Sequence, residues 1–180
     1  DPFTASLGLV GTARRIPALP QAAWFFYASP PNHLALHDTH PAQGLLAATF
    51  ASRRIPPLLL APALLALSLL AWPPMARWLR QAARRFVAED ALRLDLDPTQ
   101  SHHYRLEWRA DTVDFTVDGD LCFTTPVAPH GPLGLVLWID NQYAAFPPDG
   151  RLRFGTLPNE DAWLEFTSVE LSATCRNPVS

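Results

Sequence analysis

The stretch His102–Thr125, HHYRLEWRADTVDFTVDGDLCFTT, decides the fold. Tyr104, Leu106 and Trp108 alternate with His103, Arg105, Glu107 and Arg109. Val113, Phe115 and Val117 alternate in the same way with Thr112, Asp114, Thr116 and Asp118. A repeat of two residues is the signature of half-buried strands, because successive side chains of a strand point to opposite faces. The connections at Ala110-Asp111 and Asp118-Gly119 are short, and Asp-Gly is a favoured hairpin pair because both residues tolerate positive φ. Three short strands in a meander follow, so the C-terminal half reads as antiparallel sheet.

Working outward, the first third reads as short strands Ser6–Val10, Ala22–Ala28 and Gly44–Phe50, separated by Pro17, Pro20, Pro30, Pro31 and Pro41. Proline at this density suits a β-rich domain with many turns. Ala22–Ala28, with Trp24, Phe25, Phe26 and Tyr27 in succession, is apolar on both faces and predicts a central strand covered on each side. Beyond the meander, Pro132–Asp140 predicts a strand with Leu133, Leu135, Leu137 and Ile139 on one face and Val136, Trp138 and Asp140 on the other. Ala162–Leu171 predicts a last strand. Asp140-Asn141-Gln142-Tyr143 and Pro147-Pro148-Asp149-Gly150 read as loops between them.

Residues 53–91 break the β pattern and predict a helical insertion. Pro57–Trp72 is an almost uninterrupted Leu/Ala run, and Met75, Trp78, Leu79, Ala82 and Phe86 then recur at spacings of three and four. Arg77, Arg80, Gln81, Arg84 and Arg85 fall mostly on the remaining surface. As a helix the Leu/Ala run would measure roughly 24 Å against roughly 30 Å of bilayer hydrocarbon, and Pro62 interrupts it. It is therefore a poor membrane span. Three readings stand: a buried or dimer-forming hairpin, an interfacial membrane anchor whose arginines meet anionic headgroups, and a true span. Leu59, Leu64, Leu67, Trp72, Trp78 and Phe86 are the candidate membrane or partner contacts.

With 180 residues and 48% hydrophobic content, the chain fits one domain, 1–180, carrying this insertion. A net charge of −3 argues against a general nucleic-acid binder, which needs clustered positive charge. All 14 basic residues are Arg, a bias better attributed to codon usage than to chemistry. Cys122 and Cys175 lack metal-type spacing and read as free thiols ahead of a disulfide. Opening at Asp1 rather than Met, the sequence leaves room for a processed N-terminal segment, and a membrane-associated or extracytoplasmic setting stays open.

His102–Trp108, Val113–Gly119 and Gly134–Asp140 together resemble the concanavalin A-like lectin/glucanase superfamily, and within it the laminarinase-like (family 16) glycoside hydrolases. Those relatives show an H-x-Y-x-L-x-W strand followed by a V-x-F-x-V-D-G hairpin. The resemblance implies a mainly β jelly-roll sandwich of two antiparallel sheets whose concave face holds an oligosaccharide or glycolipid. It also allows a structural calcium ion, although no loop here has EF-hand spacing; no other cofactor is implied. Catalytic members carry E-x-D-x-x-E or E-x-D-x-E on a central concave strand, supplying the carboxylate pair of a retaining mechanism. This sequence has no such motif, and the strand in the corresponding place, Trp24–Tyr27, has no carboxylate.

The candidate ligand residues are Trp138, Asp140, Asn141, Gln142 and Tyr143, joined by His102 and Trp24. An aromatic ring stacks on the apolar face of a sugar while Asp, Asn and Gln bond its hydroxyls. A core Trp beside a polar turn is the plainer reading of the same residues. Glu107 and Asp140 are the carboxylate pair to test for acid/base work. The plainer reading of Glu107 is a solvated sheet face. His33, His37, Asp38 and His40 read as a polar loop, since flanking prolines oppose the helix that would align metal ligands. Nucleophile elbows and phosphate loops are missing from the sequence. A carbohydrate-binding sandwich without ordinary family 16 catalysis is the leading expectation, ahead of a membrane-surface or lipid-binding protein and a divergent glycoside hydrolase.

Overall fold

The computed structural model describes residues 19–53 and 72–173. The expected strand Ser6–Val10, the positions Leu59, Leu64 and Leu67, and Cys175 lie outside the described residues. The described chain is mainly β: three antiparallel sheets and one short helix. The first sheet contains β1 (Gln21–Ala28), β2 (Gly44–Ser52) and β3 (Val87–Leu94) in that order. The second contains β4 (Tyr104–Trp108), β5 (Val113–Val117) and β6 (Asp120–Thr125). β7 (Gln142–Ala145) and β8 (Arg153–Thr156) form a separate hairpin, and α1 (Pro73–Ala83) precedes β3.

The meander follows the sequence pattern closely. Leu106 pairs with Phe115 and Trp108 with Val113, so Val113, Phe115 and Val117 share one buried face. Asp118 (φ 54°) and Gly119 (φ 92°) take the left-handed conformations that a tight hairpin requires. Asp118 also accepts hydrogen bonds from the His103 amide (2.8 Å) and pairs with His102 Nδ1 (2.7 Å), pinning the start of β4 to the turn.

The buried face of the second sheet packs on one face of the first, giving a sandwich-like core of Leu45, Ala47, Leu94, Val113, Phe115 and Val117. Phe25 supplies the bridge, with ring centroids 5.2 Å from Phe115 and 4.9 Å from Tyr104. The two sheets are also fastened by a hydrogen bond from Thr125 Oγ1 to Asp90 Oδ2 (2.6 Å). The opposite face of the first sheet carries Trp24, Ala48, Phe50, Val87 and Ala91 and packs under the loop that follows β1. β1 and β2 are thus covered on both sides, as their continuous apolar sequence requires.

Several expectations need correction. Pro132–Asp140 and Ala162–Leu171 are not strands; they run as irregular chain, with Val136 and Trp163 61% and 78% exposed. Alternating sequence makes a strand only where a sheet edge takes its backbone groups, and these stretches have no such pairing among the described residues. The segment read as the Asp140–Tyr143 loop instead enters β7, while Pro147–Gly150 is the expected turn, closed by Gly150 N–H to Pro147 O (3.0 Å). Residues 87–91, read as the end of the insertion, belong to β3. Arg80, read as a surface residue of the helix, is instead buried with Ala76, while Trp78, a candidate membrane or partner contact, is 61% exposed. Three acceptors on neighbouring segments draw the Arg80 guanidinium inward.

Phe115 is fully buried at the centre of the sandwich, so Phe115→Ala removes both its transfer energy and its packing. The expected cost is about 3–5 kcal/mol, read as a lower midpoint in urea unfolding at unchanged slope.

Candidate ligand-binding hollow

The second face of the β1–β2–β3 sheet is built by register. Trp24 lies opposite Ala48, Phe26 opposite Leu46, and Ala22 opposite Phe50. Across the other edge Ala48 faces Ala91 and Phe50 faces Glu89. Small residues in the middle with aromatics around them leave a depression. The loop between β1 and β2 roofs it, leaving a shallow, open-sided hollow whose enclosed space is about 20 Å³, room for a water-sized group. Its walls are Trp24, Phe26, Phe50 and aliphatic side chains, and its carboxylate is Glu89.

The roof is held by charge. Glu89 Oε2 accepts the amides of Leu36 (2.8 Å) and His37 (3.0 Å). Arg80, 2% exposed, donates to Ala35 O (2.8 Å), to Phe146 O and to Asp38 Oδ1 (2.7 Å). Arg84 adds Leu36 O (2.7 Å) and Asp38 Oδ2 (2.7 Å). Hydrogen bonds from Arg84 and Arg80 hold the Asp38 carboxyl down at about 2. Glu89 is shifted the other way, because burial penalises its charge more than the two amides relieve it. Burial and the Arg80 charge lower His33, whose Nε2 has no hydrogen-bond partner.

Of the residues singled out by sequence, Trp24 and Trp138 come together: their ring centroids are 5.8 Å apart at 52°. Trp24 also stacks on Phe26 (5.3 Å, 23°) and meets Phe50 edge-on (5.9 Å, 81°). Asp140, Asn141 and Gln142 are exposed. Asn141 extends the β7–β8 hairpin through its side-chain and backbone bonds to Leu157 (3.2 and 2.8 Å). Tyr143 lies against Gly155, where an added Cβ would come within 3.0 Å of the ring. His102 sits at the β5–β6 turn, its pKa raised by the bond to Asp118. Glu107 projects from the outer face of the second sheet, ion-paired to Arg105 and Arg109. Trp72, Trp78 and Phe86 are exposed around α1.

Glu89 was not among the expected site residues. Glu89, Asp90 and Arg93 interrupt the apolar alternation of β3, and the preceding helical period draws Val87–Ala91 into the insertion. The available signal was the alternation Leu92–Leu94 continuing upstream through Asp90 and Ala88. No protein-family model, curated protein or solved structure matches this chain.

Arg80→Met strands one buried and one partly buried carbonyl and is expected to cost about 3 kcal/mol in urea unfolding. A depressed Asp38 pKa stabilises the fold above the usual carboxylate range, and that contribution is lost as pH falls from about 4 to about 2. Asp38→Asn should therefore be less stable than the parent near neutrality, with the difference closing over that acid window in unfolding titrations.

Proposed function

We propose that this protein is a carbohydrate- or glycoconjugate-binding sandwich in which Trp24 and Trp138 form the stacking platform and the adjoining hollow receives part of the ligand. The observation that carries this reading is the Trp24–Trp138 contact at the rim of a hollow lined by Trp24, Phe26, Phe50 and Glu89. Aromatic faces take the apolar side of a pyranose, and a carboxylate accepts its hydroxyls. Sites of this kind, mostly apolar with a few polar groups, are how folded domains recognise small ligands. The finer architecture, a concanavalin A-like jelly roll, belongs to the same proposal; two antiparallel sheets packed face to face support it, and so does the motif resemblance. Binding is preferred to hydrolysis because Glu107, half of the carboxylate pair considered, is engaged by two arginines on the outer face of the other sheet.

A second reading rests on α1. Trp72, Trp78 and Phe86 are exposed beside the exposed Arg77 and Arg85, the combination that seats a short helix in a headgroup layer. Among the described residues no helix is long and apolar enough to cross a membrane. An interfacial role would favour a glycolipid over a free oligosaccharide.

Affinity electrophoresis against soluble polysaccharides tests the first reading. Trp138→Ala should lose retention by at least about tenfold, a loss of about 1.4 kcal/mol or more, while keeping the parent's circular dichroism. Unchanged retention in the folded variant would remove the tryptophan platform. Co-flotation with anionic vesicles tests the second: the parent should float and a Trp72→Ser/Trp78→Ser variant should not. A parent that stays at the bottom of the gradient rules out the membrane reading.

A further inference from the structure

We infer that the Glu89 hollow selects a sugar bearing a protonated primary amine, the chemistry of an unacetylated glucosamine unit. This rests on the reading of the hollow as a glycan site and names its ligand class. The carboxylates Asp38, Glu107, Asp114, Asp118 and Asp149 each pair with an arginine or a histidine. Glu89 is only 7% exposed and has no ion pair among the described residues. Both of the hydrogen bonds it receives fall on Oε2, from backbone amides that carry no net charge. Oε1 has no hydrogen-bond partner among the described residues, and Glu89 itself lines the hollow.

A largely buried carboxylate is costly, and a cation brought beside its open oxygen adds Coulomb attraction to that already exerted by the nearby His37 and His40. The remaining walls suit the same charge, since aromatic side chains are among the residues that line the hollow. A metal ion fits poorly: calcium and magnesium need about six or more oxygen ligands and zinc about four N, S or O ligands, and the hollow offers one carboxylate among apolar side chains. A quaternary ammonium has no N–H to donate to Oε1, whereas a primary ammonium has three donors. The enclosed space, about 20 Å³, takes a single water-sized group, so the ammonium enters while the ring stays at the mouth. Stacking on Trp24 and Trp138 would then carry the neighbouring units.

Isothermal titration near neutral pH and physiological salt compares three oligosaccharides of equal length: glucosamine, N-acetylglucosamine and β-glucan oligomers. The parent should bind the glucosamine oligomer at least about tenfold more tightly than the acetylated one, the scale of one desolvated charge contact. Glu89→Gln should abolish that preference while retaining the weaker neutral binding. Glu160→Gln, an exposed carboxylate outside the hollow, should keep the preference, separating a site from diffuse attraction to a net-negative chain. Equal affinity of the parent for amine and acetylated ligands overturns the inference without needing any variant to fold, and leaves the glycan reading standing. A preference that survives in Glu89→Gln also overturns it. Absence of binding to all three oligosaccharides overturns the inference together with the glycan reading on which it rests.

Discussion

The structure depends on one strand being buried from two sides. Leu45–Phe50 of β2 is buried at every position, and its central residues, Ala47 and Ala48, are small. Ala47 lets the β4–β6 sheet approach one face, where Phe25 and Phe115 close the core. Ala48 leaves space on the other face, where Phe50, Trp24 and Ala91 stand around it. Enlarging either residue would push one layer away, since interiors packed to crystal density have no slack for added volume. The hollow is therefore a consequence of how the middle strand is filled.

The same pleat explains the adjacent acids of β3. Successive side chains of a strand point to opposite faces, so Glu89 and Asp90 do separate jobs although they are neighbours. Asp90 faces the sandwich and takes the Thr125 hydroxyl; Glu89 faces the hollow and takes two loop amides. Each fastens a different layer to the first sheet. Reversing their order would keep a carboxylate on each face but shorten the one that reaches the loop and lengthen the one packed against Thr125.

Legibility in the sequence followed how local each signal was. β4, β5 and their Asp-Gly turn were readable because alternation and positive-φ residues act within a few positions. β1 and β2 were readable because a double-sided apolar run has few other uses. β3 was not, since charged residues on both of its faces are explained only by partners far away: Thr125 on one side, Leu36 and His37 on the other. The aromatic part of the site was half legible. Trp24 and Trp138 could each be suspected of stacking, but their meeting depends on the path of chain that carries no strand pairing. Asn141 and Tyr143, whose chemistry suits a ligand, also bond and pack within the β7–β8 hairpin, a pairing that sequence spacing alone does not show.

The helix shows why amphipathic period alone placed Arg80 on the surface. An eleven-residue helix presents one narrow face to its neighbours, and a hydrophobic count favours Trp78 for that face. A guanidinium with acceptors from two loop carbonyls and a carboxylate outweighs it, because those carbonyls, one buried and one partly buried, would otherwise lose this donor. Arg80 turns inward, and Trp78, two residues away along the helix, is carried outward. The consequence reaches the hollow. Its roof hangs from Arg80 and Arg84 through Ala35, Leu36 and Asp38, and from Glu89 through Leu36 and His37. A force on the exposed side of α1, whether from a lipid surface or another protein, would act on the arginines that fix that loop. Trp78 and the arginines that hold the loop over Glu89 thus share one short helix.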